Sequence, residues 1–538
     1  MSWPCSVSWP RSHFWPPCCK VNPASLGLPA RFKGWRPNQL DAILTVAGGE
    51  GAHGLNAPTG TGKTVIYMGA AALLDGRTAV LTSTKSLQDQ LQREFSKTVD
   101  IRGQSNYECE IEKPHKVTVD GAVCHFGVKC SLKGGGCTYF DAYRSAIAAR
   151  TVVTNFSYWL SVHEYAEGMG GFDLLVCDEA HNALDELGNH MSARVSDWEI
   201  DAFLERTKPA SDTPKEWGKW ASAQLRIVTP KLVAEVNDLR RHPQNRSLLR
   251  RVHEVKKLAK KLESVRDIAE SGERWVYEED RGAMTWTPVW PGRGSYALFR
   301  GVKKILMVSA TLTPKTMDLI GLRNYQYSEY PSSIPVANRP VYHLKIGVKL
   351  KHDVDQLDLR TWMSAIDQVI NFRLPWKGLI HTVSYARRDY LLNHSRFRGY
   401  MITHDRRDAR AKLEMFKRAK APAILVSPSM DTGIDLPGDE CRWQVICKVP
   451  FPDSRSPVYA ARHKDDKEYG LHVTATTIVQ ASGRIVRSPS DWGETFIIDD
   501  QIEWVVSKYK RFFPKWWLDS YKPYTMVTPP PLGLKRGA

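Results

Sequence analysis

The sequence predicts an α/β fold of two parallel-sheet domains, the first carrying two insertions. Three observations predict it. Short apolar runs at residues 79–81, 151–153, 173–177 and 305–308, then at 378–381, 423–426, 445–448 and 495–498, alternate with helical patterns. Parallel strands covered by helices on both faces read this way. A glycine-rich turn at 57–64 joins an apolar residue, Leu55, to a helix-like stretch. Two segments, 106–140 and 197–267, break the alternation. The expected parse is an N-terminal disordered arm at 1–30, a first domain in three parts (31–105, 141–195 and 300–335), a cysteine-bearing insertion at 106–140, a helical insertion at 196–299, and a second domain at 336–538.

The elements follow in order. The arm holds Trp3, Pro4, Trp9, Pro10, Trp15, Pro16 and Pro17 with little periodicity. Residues 31–97 read helix, strand, loop, helix, strand, helix. Residues 106–140 are glycine-rich and lack clean periodicity. Within 197–267, Leu248, Val252, Val255, Leu258, Leu262 and Val265 recur at near-heptad spacing with Arg250, Arg251, Lys256, Lys257, Lys260 and Lys261 between them. Those bases are either a solvated helix face or a surface facing nucleic acid. Near the C-terminus, Trp516 and Trp517 either pack in the core or stack on bases.

Composition bounds the function. At about 150 residues per domain, 538 residues make three to four domains. Hydrophobic residues are 42% of the chain, which excludes general disorder. Lys plus Arg is 75 against 58 Asp plus Glu, a net charge of +17 that favours a polyanionic partner, nucleic acid first. No run approaches the ~20 apolar residues of a membrane span, and the N-terminus has no secretory core. The expectation is a cytoplasmic protein of a prokaryotic or phage-infected cell, nucleoid-associated, with no membrane partner. Ten cysteines in such a chain point to metal or cluster ligation before disulfides.

The chemistry begins at Ala57-Pro58-Thr59-Gly60-Thr61-Gly62-Lys63-Thr64. Gly60 and Gly62 let the backbone turn several N–H groups onto one anion, and the following helix adds positive potential. Lys63 is placed to reach the β- and γ-phosphates of ATP and Thr64 to ligate Mg²⁺. Ala57 stands where the general motif has its first glycine. Asp178-Glu179-Ala180-His181 follows an apolar run, at a strand's C-terminal end, where open sheets bind ligands. Asp178 suits Mg²⁺, and Glu179 suits orienting an attacking water. Gln480-Ala481-Ser482-Gly483-Arg484-Ile485-Val486-Arg487 is the third piece: Gln480, with two arginines three apart on one expected helix face, able to meet charge developing on a triphosphate. ATP is expected between the two domains.

Together these motifs resemble the superfamily 2 helicases, most closely the DinG/XPD-like branch. Arg36-Pro37-Asn38-Gln39 looks like that branch's adenine-reading segment, with Gln39 as base contact. Thr82-Ser83-Thr84 through Gln90 looks like motif Ia, Asp178 to His181 the DEAH box, Ser309-Ala310-Thr311 motif III, Asp431-Thr432-Gly433-Ile434-Asp435 motif V, and Gln480 to Arg487 motif VI. Motif V departs from the pattern at Ser429-Met430. The resemblance implies two RecA-like motor domains, nucleotide contacts from Arg36, Gln39, Pro58 to Thr64, Gly433 and Asp435, and ATP-driven 5′→3′ unwinding. Single-stranded DNA and tailed or hybrid duplexes would be the substrates and a monomer the active form. An RNA-directed helicase, a translocase that does not unwind, and a nucleic-acid scaffold with a vestigial ATP site are the alternatives.

Cys109, Cys124, Cys130 and Cys137 are separated by fourteen, five and six residues. A zinc ribbon would show tight C-x₂₋₄-C pairs. The looser spacing, beside Gly134, Gly135 and Gly136, suits thiolates around a cubane. Zinc or no metal stays open, with His115 and His125 as substitute ligands. In the resembled branch a [4Fe–4S] cluster is inserted here, and the helical segment after the DEAH box is an Arch domain that forms a gate with it. Cys177, Cys441 and Cys447 adjoin apolar strands and are expected to be buried and inert.

Overall fold

The structure is a computed structural model that describes residues 21–524, apart from 166–167, 206, 210, 281, 352 and 430–434. Residues 1–20 of the expected arm lie outside the described residues. Residues 21–30 are not an arm: Leu28 is buried against the first domain, and the Trp35 indole N–H donates to the Val21 carbonyl at 2.8 Å.

In chain order the first half supplies β1 (Ala52–Asn56), β2 (Thr78–Thr82), β3 (Val99–Asp100), β4 (Thr151–Asn155), β5 (Phe172–Asp178), β6 (Ala193–Ser196), β7 (Trp275–Glu279), β8 (Ala283–Pro288), β9 (Val302–Ser309) and β10 (Tyr325–Glu329). Seven of them form one parallel sheet, ordered β10-β1-β9-β5-β2-β4-β3. Side chains alternate across it, so both layers are apolar. Val80, Val153, Leu174, Val176, Leu306 and Val308 face one layer, and Leu81, Val152, Leu175, Cys177 and Met307 the other.

The second half supplies β11 (Val341–Leu344), β12 (Gly378–His381), β13 (Met401–Thr403), β14 (Ile424–Ser427), β15 (Trp443–Ile446), β16 (Glu494–Ile497) and β17 (Tyr521–Tyr524). They too form a parallel sheet, ordered β13-β14-β12-β15-β16-β11-β17. β15 and β16 begin earlier than the apolar runs suggest, because the runs continue past the strand ends as buried Cys447 and Ile498. Gly378 is required here: a Cβ would lie 2.0 Å from the Trp443 ring.

The segment between β5 and β9 is not wholly helical. Helices Pro214–Arg241 and Arg246–Glu270 form a hairpin, and β6-β8-β7 forms an antiparallel sheet packed on it. The Trp275–Pro288 stretch carries the hairpin signal that the expectation passed over, alternating aromatic and β-branched residues around Asp280 and Gly282. The heptad stripe is real: Val252, Val255, Leu258, Leu262 and Val265 are all buried. Among the described residues no helix is long and apolar enough to cross a membrane.

Candidate functional site

Three of the sequence motifs follow three neighbouring strands. The glycine turn leaves β1, Asp178 ends β5 and Ser309 ends β9, with β9 between the other two. Asn56 is in register with Ser309, and Asp178 with Val308, so all three motifs meet at one level of the sheet's C-terminal edge.

The turn opens helix Lys63–Leu74, with Gly62 at its N-cap in the left-handed region, φ 78°. A Cβ on Gly62 would stand 2.5 Å from the Gln39 amide nitrogen, so glycine is needed for both conformation and space. Gln39 is buried and fastens the loop: its amide donates to the Thr61 carbonyl at 2.7 Å and accepts from the Arg36 N–H at 2.8 Å. The Arg36 guanidinium donates to the Gly60 carbonyl at 2.6 Å. Both residues expected at adenine are thus seen bracing the glycine loop. Thr61 turns back through its hydroxyl to the Pro58 carbonyl, 2.7 Å. Thr59 stands across from Gly483 of the other domain, where a Cβ would come 3.2 Å from its hydroxyl.

Lys63 and Glu179 form an ion pair at 3.1 Å. The Tyr67 hydroxyl, one turn past Lys63, lies 3.5 Å from the Thr64 hydroxyl and 3.3 Å from Asp178. The Tyr67 hydroxyl thus bridges Thr64 and Asp178, whose oxygens are of the kind a hard divalent cation takes. Tyr67 was not singled out from the sequence; its i+4 relation to Lys63 on the loop's own helix is the signal. Burial, then the Glu179 charge, pushes the Asp178 carboxyl up to about 6. Burial also works to raise Glu179, but Lys63 and His181 outweigh it and hold that carboxyl below its usual range. Glu179 stands at φ 50°, a left-handed conformation that a non-glycine side chain adopts at a cost.

The site continues into the second sheet's domain. His181 Nδ1 is 2.8 Å from the Ser309 hydroxyl and 3.4 Å from Glu179. Ser309 lies 3.3 Å from the Thr311 hydroxyl, and Gln480 donates to Thr311 at 2.8 Å. Gln480 also approaches His181, 299 residues away in sequence, at 3.3 Å. Arg484 is buried beside His181 and Gln480 in the cleft. Arg487 pairs with Asp435 at 2.5 Å, and its charge is among those lowering Glu179. The two arginines do not share a helix face. Helix Tyr469–Ser482 is capped by Gly483, and both lie in the non-helical stretch beyond. Gly433 lies outside the described residues.

Trp516 and Trp517 pack in the core; both are buried. The Trp516 indole donates to the Ala310 carbonyl at 3.3 Å and the Trp517 indole to the Ser482 hydroxyl at 3.1 Å. The basic helix Arg246–Glu270 spends much of its charge internally. Arg246 pairs with Glu112 at 2.6 Å, Arg251 with Glu235 at 2.7 Å, Lys261 with Glu199 at 2.7 Å, and Lys256 donates to the His125 carbonyl at 3.2 Å.

The four insertion cysteines are free thiols of one neighbourhood. Burial, then the charges of Cys130, Cys109 and Cys137, raises the Cys124 thiol. Among the described residues no three His, Cys, Asp or Glu side chains close tightly enough to hold a single metal ion. The other three thiols all act on Cys124, so the four share one neighbourhood, and thiolates are the ligands an iron–sulfur cluster takes. Cys177, Cys441 and Cys447 are buried free thiols.

Comparison with known proteins gives two family models. One, the res subunit of type III restriction enzymes, matches residues 33–204, and the other, a helicase C-terminal domain, matches 374–520. A protein of Methanocaldococcus jannaschii named a probable ATP-dependent helicase is 21% identical over 84% of this chain and 89% of its own. The ATP-dependent DNA helicase DinG of Photobacterium profundum is 28% identical over 21% of this chain and 16% of its own. A solved XPD helicase superposes with a TM-score of 0.62 at 15% identity, covering 90% of this chain and 98% of that one. A second XPD structure, in the apo form, gives 0.59 at 15%, covering 91% and 100%.

Proposed function

This chain is a DinG/XPD-like superfamily 2 helicase, an ATP-dependent enzyme, and from that premise we propose that it moves 5′→3′ along single-stranded DNA and unwinds tailed duplexes or DNA–RNA hybrids as a monomer. One observation carries the reading. A continuous polar chain runs from Lys63 through Glu179, Ser309 and Thr311 to Gln480, joining the phosphate loop of one motor domain to the other.

In this reading Lys63 binds the β- and γ-phosphates, and Thr64 and Asp178 hold Mg²⁺. Glu179, kept ionised by Lys63, orients the attacking water. Gln480 senses the state of the site through Thr311 and His181. Arg484 and Arg487 meet charge developing on the γ-phosphate; for Arg487 this means exchanging Asp435 for phosphate, a device that ties the second domain's position to turnover. Arg36 and Gln39 hold the loop and face the base, and Gly433 and Asp435 lie on the second domain's side. Nucleic acid runs over the C-terminal edges of both sheets through contacts with its backbone.

Cys109, Cys124, Cys130 and Cys137 would hold a [4Fe–4S] cluster, which when bound supplies a rigid structural anchor for the insertion. The chain's own part is to present that insertion beside the helical one as a gate for one strand. Arg246 and Lys256 clasp it at Glu112 and the His125 carbonyl.

The test is strand displacement by anaerobically purified protein on two duplexes, one with a 5′ and one with a 3′ single-stranded tail, alongside ATPase with DNA or RNA. Unwinding of the 5′-tailed duplex alone is expected, with stronger stimulation by DNA. Unwinding of the 3′-tailed duplex alone overturns the polarity, and stimulation by RNA alone overturns the substrate. Glu179→Gln is expected to bind ATP and lose turnover by at least about 100-fold, as loss of a water-orienting group implies.

A further inference from the structure

Helix Tyr469–Ser482 makes two polar contacts with the segment that follows β9. Gln480, near its C-terminal end, reaches Thr311. Two turns earlier, His472 Nε2 lies 3.0 Å from the Thr313 hydroxyl and 3.3 Å from the Thr316 hydroxyl. Thr313 is itself the N-cap of helix Pro314–Leu319, accepting from the Thr316 N–H at 3.4 Å. All of these groups are buried except Gln480, which is partly buried.

We propose that His472 is a positioning residue for ATP hydrolysis, registering the helix that carries Gln480 and leads into Arg484 and Arg487 against the segment after Ser309-Ala310-Thr311. This rests on the motor reading above. A helix held at one end can pivot, whereas one held at two points on the same segment cannot. Gln480 gives the helix one polar point on that segment, beside its apolar packing there; His472 supplies a second, two turns away. The imidazole also borders the cleft of about 140 Å³ that takes His181, Gln480 and Arg484, so a shift of the helix there reaches the site directly.

The surroundings suit a neutral imidazole. Its ring meets Phe512 edge-on at 5.4 Å, and its Nδ1 is buried with no partner among the described residues. Burial first and then the Lys315 charge, with His181 adding to it and Asp466 opposing, hold its pKa down at about 4. The contact is therefore an uncharged one at neutral pH, and its strength does not follow the protonation of the ring in that range.

The experiment compares His472→Phe, which keeps a ring but no hydrogen bond, with His472→Gln, which restores a polar atom, in steady-state ATPase stimulated by single-stranded DNA. The expected result is a kcat lowered about tenfold by His472→Phe with ATP KM unchanged, as losing one buried hydrogen bond in the transition-state arrangement implies. His472→Gln is expected to recover most of that loss. Thr313→Val is expected to lower kcat in the wild-type background and to add little to His472→Phe, since the two residues share the contact. A wild-type kcat in His472→Phe overturns the proposal, as does an equal loss in the Phe and Gln variants. Wild-type protein without ATPase overturns the motor reading itself, and the proposal with it.

Discussion

The two insertions of the first motor domain fold by opposite means. The helical one brings its own core: sixteen buried residues, four of them tryptophans, between the helix hairpin and β6-β8-β7. Trp286 is fully buried with Trp217 at 5.0 Å and Trp220 at 5.8 Å. The cysteine insertion has no such centre. It is a run of 3₁₀ turns of three or four residues, one isolated bridge between Glu108 and Thr118, and helix Thr138–Ala148. Its apolar groups are lent to other cores. Cys109, Val119, Ala122 and Cys137 join the motor-domain core, and Phe126 joins Leu239, Leu249 and Val252 of the helical insertion. A segment this short cannot bury enough of itself to stand alone, so it needs a staple and a neighbour.

Four substitutions sharpen or break this contrast, the largest effect first. On the cluster reading, Cys124→Ser abolishes strand displacement and iron binding while part of the DNA-stimulated ATPase persists. Hydrogen exchange should rise across 106–137 and stay slow in helix Arg246–Glu270. Full iron content in that variant contradicts the ligand assignment. Trp286→Ala should cost the helical insertion about 3–5 kcal/mol, the range for truncating a large core side chain, read as lost exchange protection in both hairpin helices. If protection falls equally in the cysteine insertion, the two regions are one folding unit and the contrast fails.

Phe126→Ala tests the seam between them. The ring is buried, with the Lys256 ammonium 4.8 Å from its centre, and its loss should cost about 3 kcal/mol. Release of the cysteine insertion to exchange is expected, with ATPase in the absence of DNA retained. Arg246→Ala is the mildest. Its pair with Glu112 is one-third exposed on the arginine side but buried on the glutamate side, so about 1–3 kcal/mol is expected, the range for leaving a buried polar group unpaired. That loss should shrink in high salt in the wild-type comparison, because screening weakens the pair it removes.

The same contrast explains what could be read from the chain. The heptad stripe of helix Arg246–Glu270 marks its own buried face, since a helix repeats its geometry every few residues. Of the sheet that completes that insertion, the β7–β8 hairpin is local and its signal stands in the sequence, whereas β6 pairs with β8 across roughly ninety residues and left no local mark. The cysteines stand out by residue type and spacing as candidates for a shared site. Their docking partners, Arg240 on the Phe126 carbonyl and Arg246 on Glu112, left no mark in the pattern.

The candidate ATP site divides the same way. The sequence alone determined the glycine loop, the Asp178–Glu179 strand end and the strands beneath them, because anion-binding turns and buried parallel strands are local structures with local residue requirements. It also determined the order of the motifs, and through that order the family. Only the tertiary structure decided that Tyr67 bridges Thr64 and Asp178, that Gly483 ends the helix before Arg484, and that Trp516 and Trp517 belong to the core. Only packing brought Gln480, His472 and Trp516 onto the segment from Ala310 to Thr316, more than 150 residues earlier in the chain. Contacts at that separation follow from which faces two sheets and their helices present to each other, and no local period of the sequence encodes that choice.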